Sequence, residues 1–221
     1  MRITVAVACF NQENKIKACL ESVIEQNHDD IEILVVDDHS SDSSVEVING
    51  VIASNPDAIR LLVHDTNMGI SHVRNTCIRE ASGDAILFVD GDDTMVKNTL
   101  SLLGKKMVET GADVVYGSFR MADEKGAVLR EYIYPETHID ESFAFSTYIE
   151  KQLKDKLWVP VPIWNKLYRL DWLREHDICC DTRYRNCDDT LFTFKVALHT
   201  KKLAVVSIIS YTTVHENALT F

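Results

Sequence analysis

The sequence predicts an α/β fold, a mainly parallel sheet with helices on both faces, and two observations carry that prediction. Short apolar runs alternate with stretches of helical period through the first half of the 221 residues, as repeated strand–helix units require. The composition, 46% apolar and 26% charged, is that of an ordinary globular domain, and the length suits one domain or one with a small lobe.

Taken in order, Ile3 to Cys9 is an apolar run fit for a buried strand. It gives way to Asn11-Gln12-Glu13-Asn14 with no small-residue cleavage site, so it reads as core rather than signal peptide. Ile16, Cys19, Leu20, Val23 and Ile24 recur at three and four and mark a helix. Ile31 to Val36 is a second strand, ending in Asp37-Asp38. The Ser40-Ser41-Asp42-Ser43 cluster offers capping oxygens to a second helix bearing Val45, Ile48 and Ile52. Arg60 to His64 is a third strand. Ile70, Val73, Cys77, Ile78 and Ala81 stripe a third helix, with Gly83 expected to close it. Ala85 to Val89 is a fourth strand, running into Asp90-Gly91-Asp92-Asp93. Val96, Leu100, Leu103 and Met107 mark a fourth helix and Asp113 to Gly117 a fifth strand.

Beyond Phe119 the pattern changes. Arg120 to Pro135 reads as an antiparallel excursion and Phe143 to Leu153 as a helix, with Glu150 to Lys156 its solvated end. Pro160-Val161-Pro162 is extended, because proline disfavours helix at itself and at its neighbour. Asp188 to Ala197 is helical, and Leu203 to Tyr211 is a last strand.

The net charge of −11 excludes a general nucleic-acid binder, which needs basic surface to offset phosphates. No run approaches the roughly 18–20 apolar residues that span a bilayer. The six cysteines show no CxxC or zinc-like spacing, so the chain reads as reduced and cytoplasmic. GxGxxG, GxxxxGK[ST] and GxSxG are all absent, which argues against dinucleotide, P-loop and nucleophile-elbow chemistry.

The chemistry belongs at the strand ends. Ligands of open parallel sheets bind beyond the carboxyl ends of the strands, and both acidic clusters fall there. Three acids within the four positions 90–93 repel one another, so a cation or donor must relieve them. Hard oxygen ligands at close spacing suit Mg²⁺ or Mn²⁺, which usually share coordination with substrate phosphates. Gly91 would let the backbone turn and admit a diphosphate. The bland alternative is that these acids only cap helices and solvate loops.

These residues resemble a known family along nearly the whole chain. The markers are Ala8-Cys9-Phe10-Asn11, Val35-Val36-Asp37-Asp38-His39-Ser40-Ser41-Asp42, Asn67 to Asn75, and Ala81-Ser82-Gly83-Asp84. Phe88 to Asp93, Trp164-Asn165-Lys166-Leu167-Tyr168 and Cys187 to Phe192 follow. In order and spacing they are similar to the family 2 glycosyltransferases, inverting enzymes of GT-A fold. The resemblance implies one domain over 1–221, with 1–118 binding a nucleotide-sugar and 119–221 the acceptor. It implies that Phe10, Asn11, Asp37 and Asp38 line the nucleotide base and that Arg74 stabilises the nucleotide end. Asp90 and Asp92 form the metal-binding DxD for Mn²⁺ or Mg²⁺, Asp92 as direct ligand and Asp90 at the ribose or a metal-bound water. Asp189 is the catalytic base. Asp188 replaces the family's usual glutamate with a shorter acid, which leaves its supporting role open.

His215 reads as a diphosphate or metal contact or as a satisfied histidine. His39 and His72 stand where the family usually has Gly and Ala, and read as loop residues or nucleotide contacts. Trp158 and Trp164 are candidates for a sugar-stacking platform, Trp164 on the acceptor side. Lys166 and Tyr168 either orient donor phosphate or pair on the surface. The implied donor is a nucleotide-sugar, a UDP-sugar first, and the acceptor a saccharide or lipid-linked saccharide of a surface polysaccharide or glycolipid. Association with the inner membrane face and homodimerisation accompany that reading. The competing classes are a nucleotidyltransferase, whose glycine-rich N-terminal loop is missing from Phe10 to Lys15, and a catalytically silent nucleotide- or carbohydrate-binding scaffold.

Overall fold

A computed structural model describes residues 1–139, 161–183 and 188–215. The expected helix at Phe143–Leu153, its charged end, Trp158, Pro160 and Cys187 lie outside the described residues, as do Glu216 onward.

Four strands make the parallel half of the sheet: β1 (Ile3–Cys9), β2 (Ile31–Asp37), β3 (Ile59–Val63) and β4 (Ala85–Asp90). β1 and β4 are almost wholly buried, because helices cover both faces, which is why they read as continuous apolar runs rather than alternating ones. The helices α1 (Ile16–Ile24), α2 (Ser44–Ser54), α3 (Ile70–Glu80) and α4 (Thr99–Thr110) follow β1, β2, β3 and β4 in turn. In α1 the buried set Ile16, Cys19, Leu20 and Val23 is the predicted stripe, one face of a 3.6-residue period. Between β4 and α4 lies a two-residue strand, β5 (Thr94–Met95), which the periodicity did not announce.

The remaining strands are β6 (Val114–Asp123), β7 (Val128–Tyr132), β8 (Thr137–Ile139), β9 (Lys166–Arg169) and β10 (Leu203–His215), with helices α5 (Leu170–Glu175) and α6 (Asp188–His199). Among the described residues the sheet runs β3-β2-β1-β4-β9-β6-β10-β5, with β7 on β6 and β8 on β10. The antiparallel excursion is the β6–β7 hairpin, pairing Phe119 with Tyr132. β9 wedges antiparallel between β4 and β6, so the back half of the chain completes the main sheet.

Two local expectations are corrected. Gly83 does not close α3; Ala81 ends it in extended conformation. A Cβ at Gly83 would fall 2.7 Å from the Thr4 backbone nitrogen, so glycine is needed there for close approach to β1. Ser43 sits at the N-cap of α2 but makes no side-chain cap bond. Asp42 Oδ1 takes the Ser44 N–H at 2.9 Å instead, and the neighbouring serines are used elsewhere.

Cys9, Cys19, Cys77 and Cys180 are buried free thiols and Cys179 is half-buried and free. Burial pushes the Cys9 and Cys77 thiols up to about 12, so they behave as small core residues.

Candidate active site

Strand order reverses between β1 and β4, and a crevice opens at their carboxyl ends. It holds a cavity of about 330 Å³ lined by Ala8 to Phe10, Gln12, Asp38, Asn67, Gly69, Ile70, Val73 and Asp90 to Asp92. Gly91 is required where β4 leaves the sheet: its N–H donates to Ala8 O at 2.8 Å, and a Cβ would lie 2.8 Å from that same oxygen. The glycine thus serves the seam between β1 and β4.

On one side the loop after β1 is zipped to the loop after β2. Asn11, in left-handed conformation, donates its N–H to Ser40 Oγ and accepts the Ser41 N–H on Oδ1, each at 2.9 Å. Gln12 N–H donates to Ser44 Oγ, Glu13 N–H to Asp42, and Ser43 N–H to Glu13. Phe10 is left exposed at the cavity rim.

The two acids of the Asp37-Asp38 pair part company. Asp37 is fully buried and turned into its own loop, accepting from Ser40 N–H at 2.8 Å and from the Ser40 hydroxyl. It does not line the cavity. Asp38 does, and its carboxylate accepts from His64 Nδ1 at 2.7 Å, Met68 N–H at 3.0 Å and Gly69 N–H at 2.7 Å. Gly69 presents that N–H from a φ of 92°, which only glycine adopts freely. Burial works against the Asp38 charge, but the Met68, His64 and Gly69 donors outweigh it and hold the carboxyl below its ordinary range.

On the other side Arg74, buried in α3, joins two acids. Its Nη2 donates to Asp90 Oδ1 at 3.2 Å and its Nη1 to Asp189 Oδ1 at 2.5 Å. Residues 74, 90 and 189, distant in sequence, therefore meet, and the arginine lies between the candidate metal site and the candidate base. Asp188 is the first residue of α6; its side chain is outside the described set.

The rest of the acidic turn is crowded with like charge. Burial raises Asp92, and the Asp90 charge adds to it, while Lys15 and His215 pull the other way. Asp93 is pushed up to about 8 by burial and by Asp90 and Asp92, although Val214 N–H donates to it at 3.0 Å and the Tyr211 hydroxyl bonds it too. His215, at the end of β10, lies within electrostatic reach of Asp92 and pairs with Thr213 Oγ1 at 3.1 Å. No three His, Cys, Asp or Glu side chains converge into a ready-made cage among the described residues. The crowded, partly desolvated carboxylates fit a hard divalent cation that takes the rest of its shell from a bound phosphate.

Trp164 stacks on Tyr211 with ring centroids 4.7 Å apart and 7° between planes, and meets Phe119 edge-on at 5.0 Å. Tyr211 Oη in turn accepts the Asp90 N–H at 3.1 Å, so the tryptophan is one residue removed from the acidic turn. Asn165, left-handed and buried, stitches β6 to β10 through Gly117 O and Ser210. Lys166 and Tyr168 are not surface residues. Both are fully buried, Lys166 Nζ donating to Pro162 O and Tyr168 Oη to Ile163 O. Burial pushes Lys166 down to about 7, with the nearby Asp189 charge opposing the shift. Lys166 is therefore an internal residue rather than one paired on the surface. His39 is a left-handed turn residue whose ring contacts His64 O, and neither His39 nor His72 lines the cavity.

Two residues of the site went unmarked in the sequence. His64 braces Asp38, and its only signal was its place at the end of a strand shortly before Asn67-Met68-Gly69. Tyr211 had no signal beyond closing the last predicted strand.

The model of glycosyl transferase family 2 matches residues 4–177. Glycosyltransferase GlyA of Streptococcus pneumoniae is 34% identical over 172 residues, 76% of this chain and 24% of GlyA. The poly(ribitol-phosphate) beta-glucosyltransferase of Bacillus spizizenii is 27% identical over 213 residues, 96% of this chain and 32% of the relative. In three dimensions the chain superposes on residues 1–349 of Staphylococcus aureus TarS in complex with UDP-GlcNAc with a TM-score of 0.82. That match has 25% identity and covers 98% of this chain and 59% of the TarS one. The fold is thus of the GT-A type. The chain spans about a quarter to a half of the length of the first curated relatives it matches. No helix among the described residues is long and apolar enough to cross a membrane.

Proposed function

The chain belongs to glycosyl transferase family 2, and from that premise we propose that it is an inverting transferase moving a sugar from a nucleotide-sugar to a hydroxyl acceptor. One observation carries the reading: the Arg74 guanidinium joins Asp189 to Asp90, which lines a cavity built from the ends of β1, β2 and β4. A donor with a base at one end and a diphosphate at the other suits that arrangement.

The base belongs by Phe10, Asn11 and Asp38, with Asp37 supporting from behind. A carboxylate offers about four acceptor positions, and Asp38 has committed three to His64, Met68 and Gly69. One remains, which suits a single N–H such as the uracil imide and supports a UDP-sugar; TarS was solved with UDP-GlcNAc. Asp90 and Asp92, with His215 beside them, are the residues to hold Mn²⁺ or Mg²⁺, which when bound supplies charge neutralisation to the diphosphate. Arg74 adds fixed positive charge where the leaving group gathers negative charge. Asp189, held by Arg74, takes the proton of the attacking hydroxyl, and a single displacement inverts the anomeric carbon.

Residues 1–118 form the donor part and 119–221 the acceptor part, with Trp164 as a sugar-facing aromatic and Asp188 flanking the base. The acceptor reading is a saccharide or lipid-linked saccharide at the cytoplasmic face of a membrane, in keeping with the poly(ribitol-phosphate) acceptor named for the Bacillus relative. Calorimetric titration with UDP, dTDP and GDP, each with Mn²⁺ and with EDTA, tests the donor site. Binding of one nucleotide that strengthens with metal is the expected result, and no binding in any condition sinks the reading.

A further inference from the structure

We infer that His64 is a positioning residue of the nucleotide pocket, bracing Asp38 at one end and the Arg74-bearing helix at the other. The inference rests on the donor reading above.

His64 follows the last residue of β3, and its N–H donates to Asp37 O at 2.9 Å, extending the β2–β3 ladder by one bond. That anchor points a nearly buried ring, its side chain 11% exposed, between β2 and α3. Nδ1 lies 2.7 Å from Asp38 Oδ1 and Nε2 lies 3.1 Å from Thr76 Oγ1. A carboxylate can only accept, so Nδ1 carries a hydrogen. Arg79 Nη2 donates to the same Thr76 Oγ1 at 3.3 Å, so the threonine hydroxyl links the imidazole to Arg79. Arg79, Thr76, His64 and Asp38 are thus joined in one hydrogen-bonded chain that ends on the pocket acid.

The consequence is mechanical. Asp38 is the pocket acid, and Thr76 lies two residues beyond Arg74 on the same helix, so the imidazole ties the base end of the cavity to the residue joining Asp90 and Asp189. Without it, the Met68 and Gly69 N–H groups still hold one Asp38 oxygen each, but the carboxylate loses its third donor and its tie to α3, and the remaining acceptor position is less firmly fixed. A ligand must then order it at a cost in affinity.

The test is UDP titration in the presence of Mn²⁺, with donor turnover alongside, for wild type, His64→Ala, His64→Asn and Thr76→Val. Asn places an amide nitrogen near the Nδ1 position and keeps the bond to Asp38. We expect His64→Ala to weaken UDP binding about tenfold, one lost charged hydrogen bond. His64→Asn restores most of that affinity, and Thr76→Val, which leaves the cavity wall intact, gives a smaller loss. The defect falls on KM for the donor and spares kcat. If Ala does not fold, Asn and Thr76→Val decide the matter. Variants that bind UDP like wild type and shift only in melting temperature overturn the inference, as does Asn binding no better than Ala. A wild-type protein that binds no nucleotide overturns the donor reading and this inference together.

Discussion

At the end of β2, Asp38 collects three hydrogen-bond donors and its carboxyl is held below its ordinary range. At the end of β4, Asp93 is buried and Asp92 half-buried beside Asp90, and both are raised, Asp93 to about 8. The two strand ends face one cavity and carry the same residue type. One is a clamp with three acceptor positions filled; the other is an accumulation of negative charge with Arg74 bonded to Asp90. Acid composition at a strand end therefore does not by itself tell a structural carboxylate from a cation-seeking one. The supply of N–H donors does, and Met68 and Gly69 supply them at β2 because the start of α3 turns its amides towards it.

The largest effect expected lies at the third acid. Asp189→Asn keeps the shape and the Arg74 contact but cannot take a proton, so donor turnover falls about 10²–10⁴-fold. Nucleotide affinity by calorimetry stays at the wild-type level. An Asn variant that turns over normally would remove Asp189 from the base role.

The contrast between the two ends is sharpened by binding. Asp92→Ala should abolish the part of UDP affinity that depends on Mn²⁺ and leave the part seen in EDTA. Asp38→Asn should weaken both parts alike, since it acts on the base. The same pattern from both variants would mean that the ends are not functionally distinct.

Stability separates them next. Asp38→Ala strands buried donors and costs about 3 kcal/mol near neutral pH. Because the folded-state pKa of Asp38 is lowered, its contribution is complete above the unfolded value near 4 and is lost as the pH falls through the folded one. Asp93 has the opposite sign. From about 4 to about 8 the folded state keeps a proton that the unfolded chain has released, so stability falls with rising pH and levels off above 8. Asp93→Asn removes that decline, and metal-free urea melts from pH 4 to 9 will show whether it does.

Much of the first half of the chain was legible because its strands are buried on both faces and its helices carry one apolar stripe, so both periods are clean. The acids at 37–38 and 90–93 were legible as strand-end residues for the same topological reason, and Asp38, Asp90 and Asp92 line one cavity. What was not legible is pairing that depends on the third dimension. β9 is four residues long and announces no period, yet it inserts between β4 and β6. Nothing local says that Asp37 turns inward while Asp38 faces the cavity, since that is set by Ser40 on one side and by His64, 26 residues downstream of Asp38, on the other. Lys166 was left between a donor-phosphate role and a surface pair; its burial follows from β9 sitting in mid-sheet.

That lysine gives the smallest and most delicate effect. Lys166 is the cationic counterpart of Asp93, a group that burial drives towards neutrality, here from 10.5 to about 7. Between those values the unfolded chain holds a proton that the folded one has lost, so this group makes stability rise with pH from about 7 to about 10.5. Lys166→Met fills similar space without a charge and gives up the bond to Pro162 O. A buried charge replaced by an apolar side chain of like volume is often neutral, so the net change near pH 8 should stay within about 1.5 kcal/mol. The informative quantity is the slope: melts of the two proteins should converge or cross as the pH is raised, because only wild type gains. Parallel pH profiles would mean that Lys166 keeps its proton inside the fold, with Asp189 as the charge that holds it there.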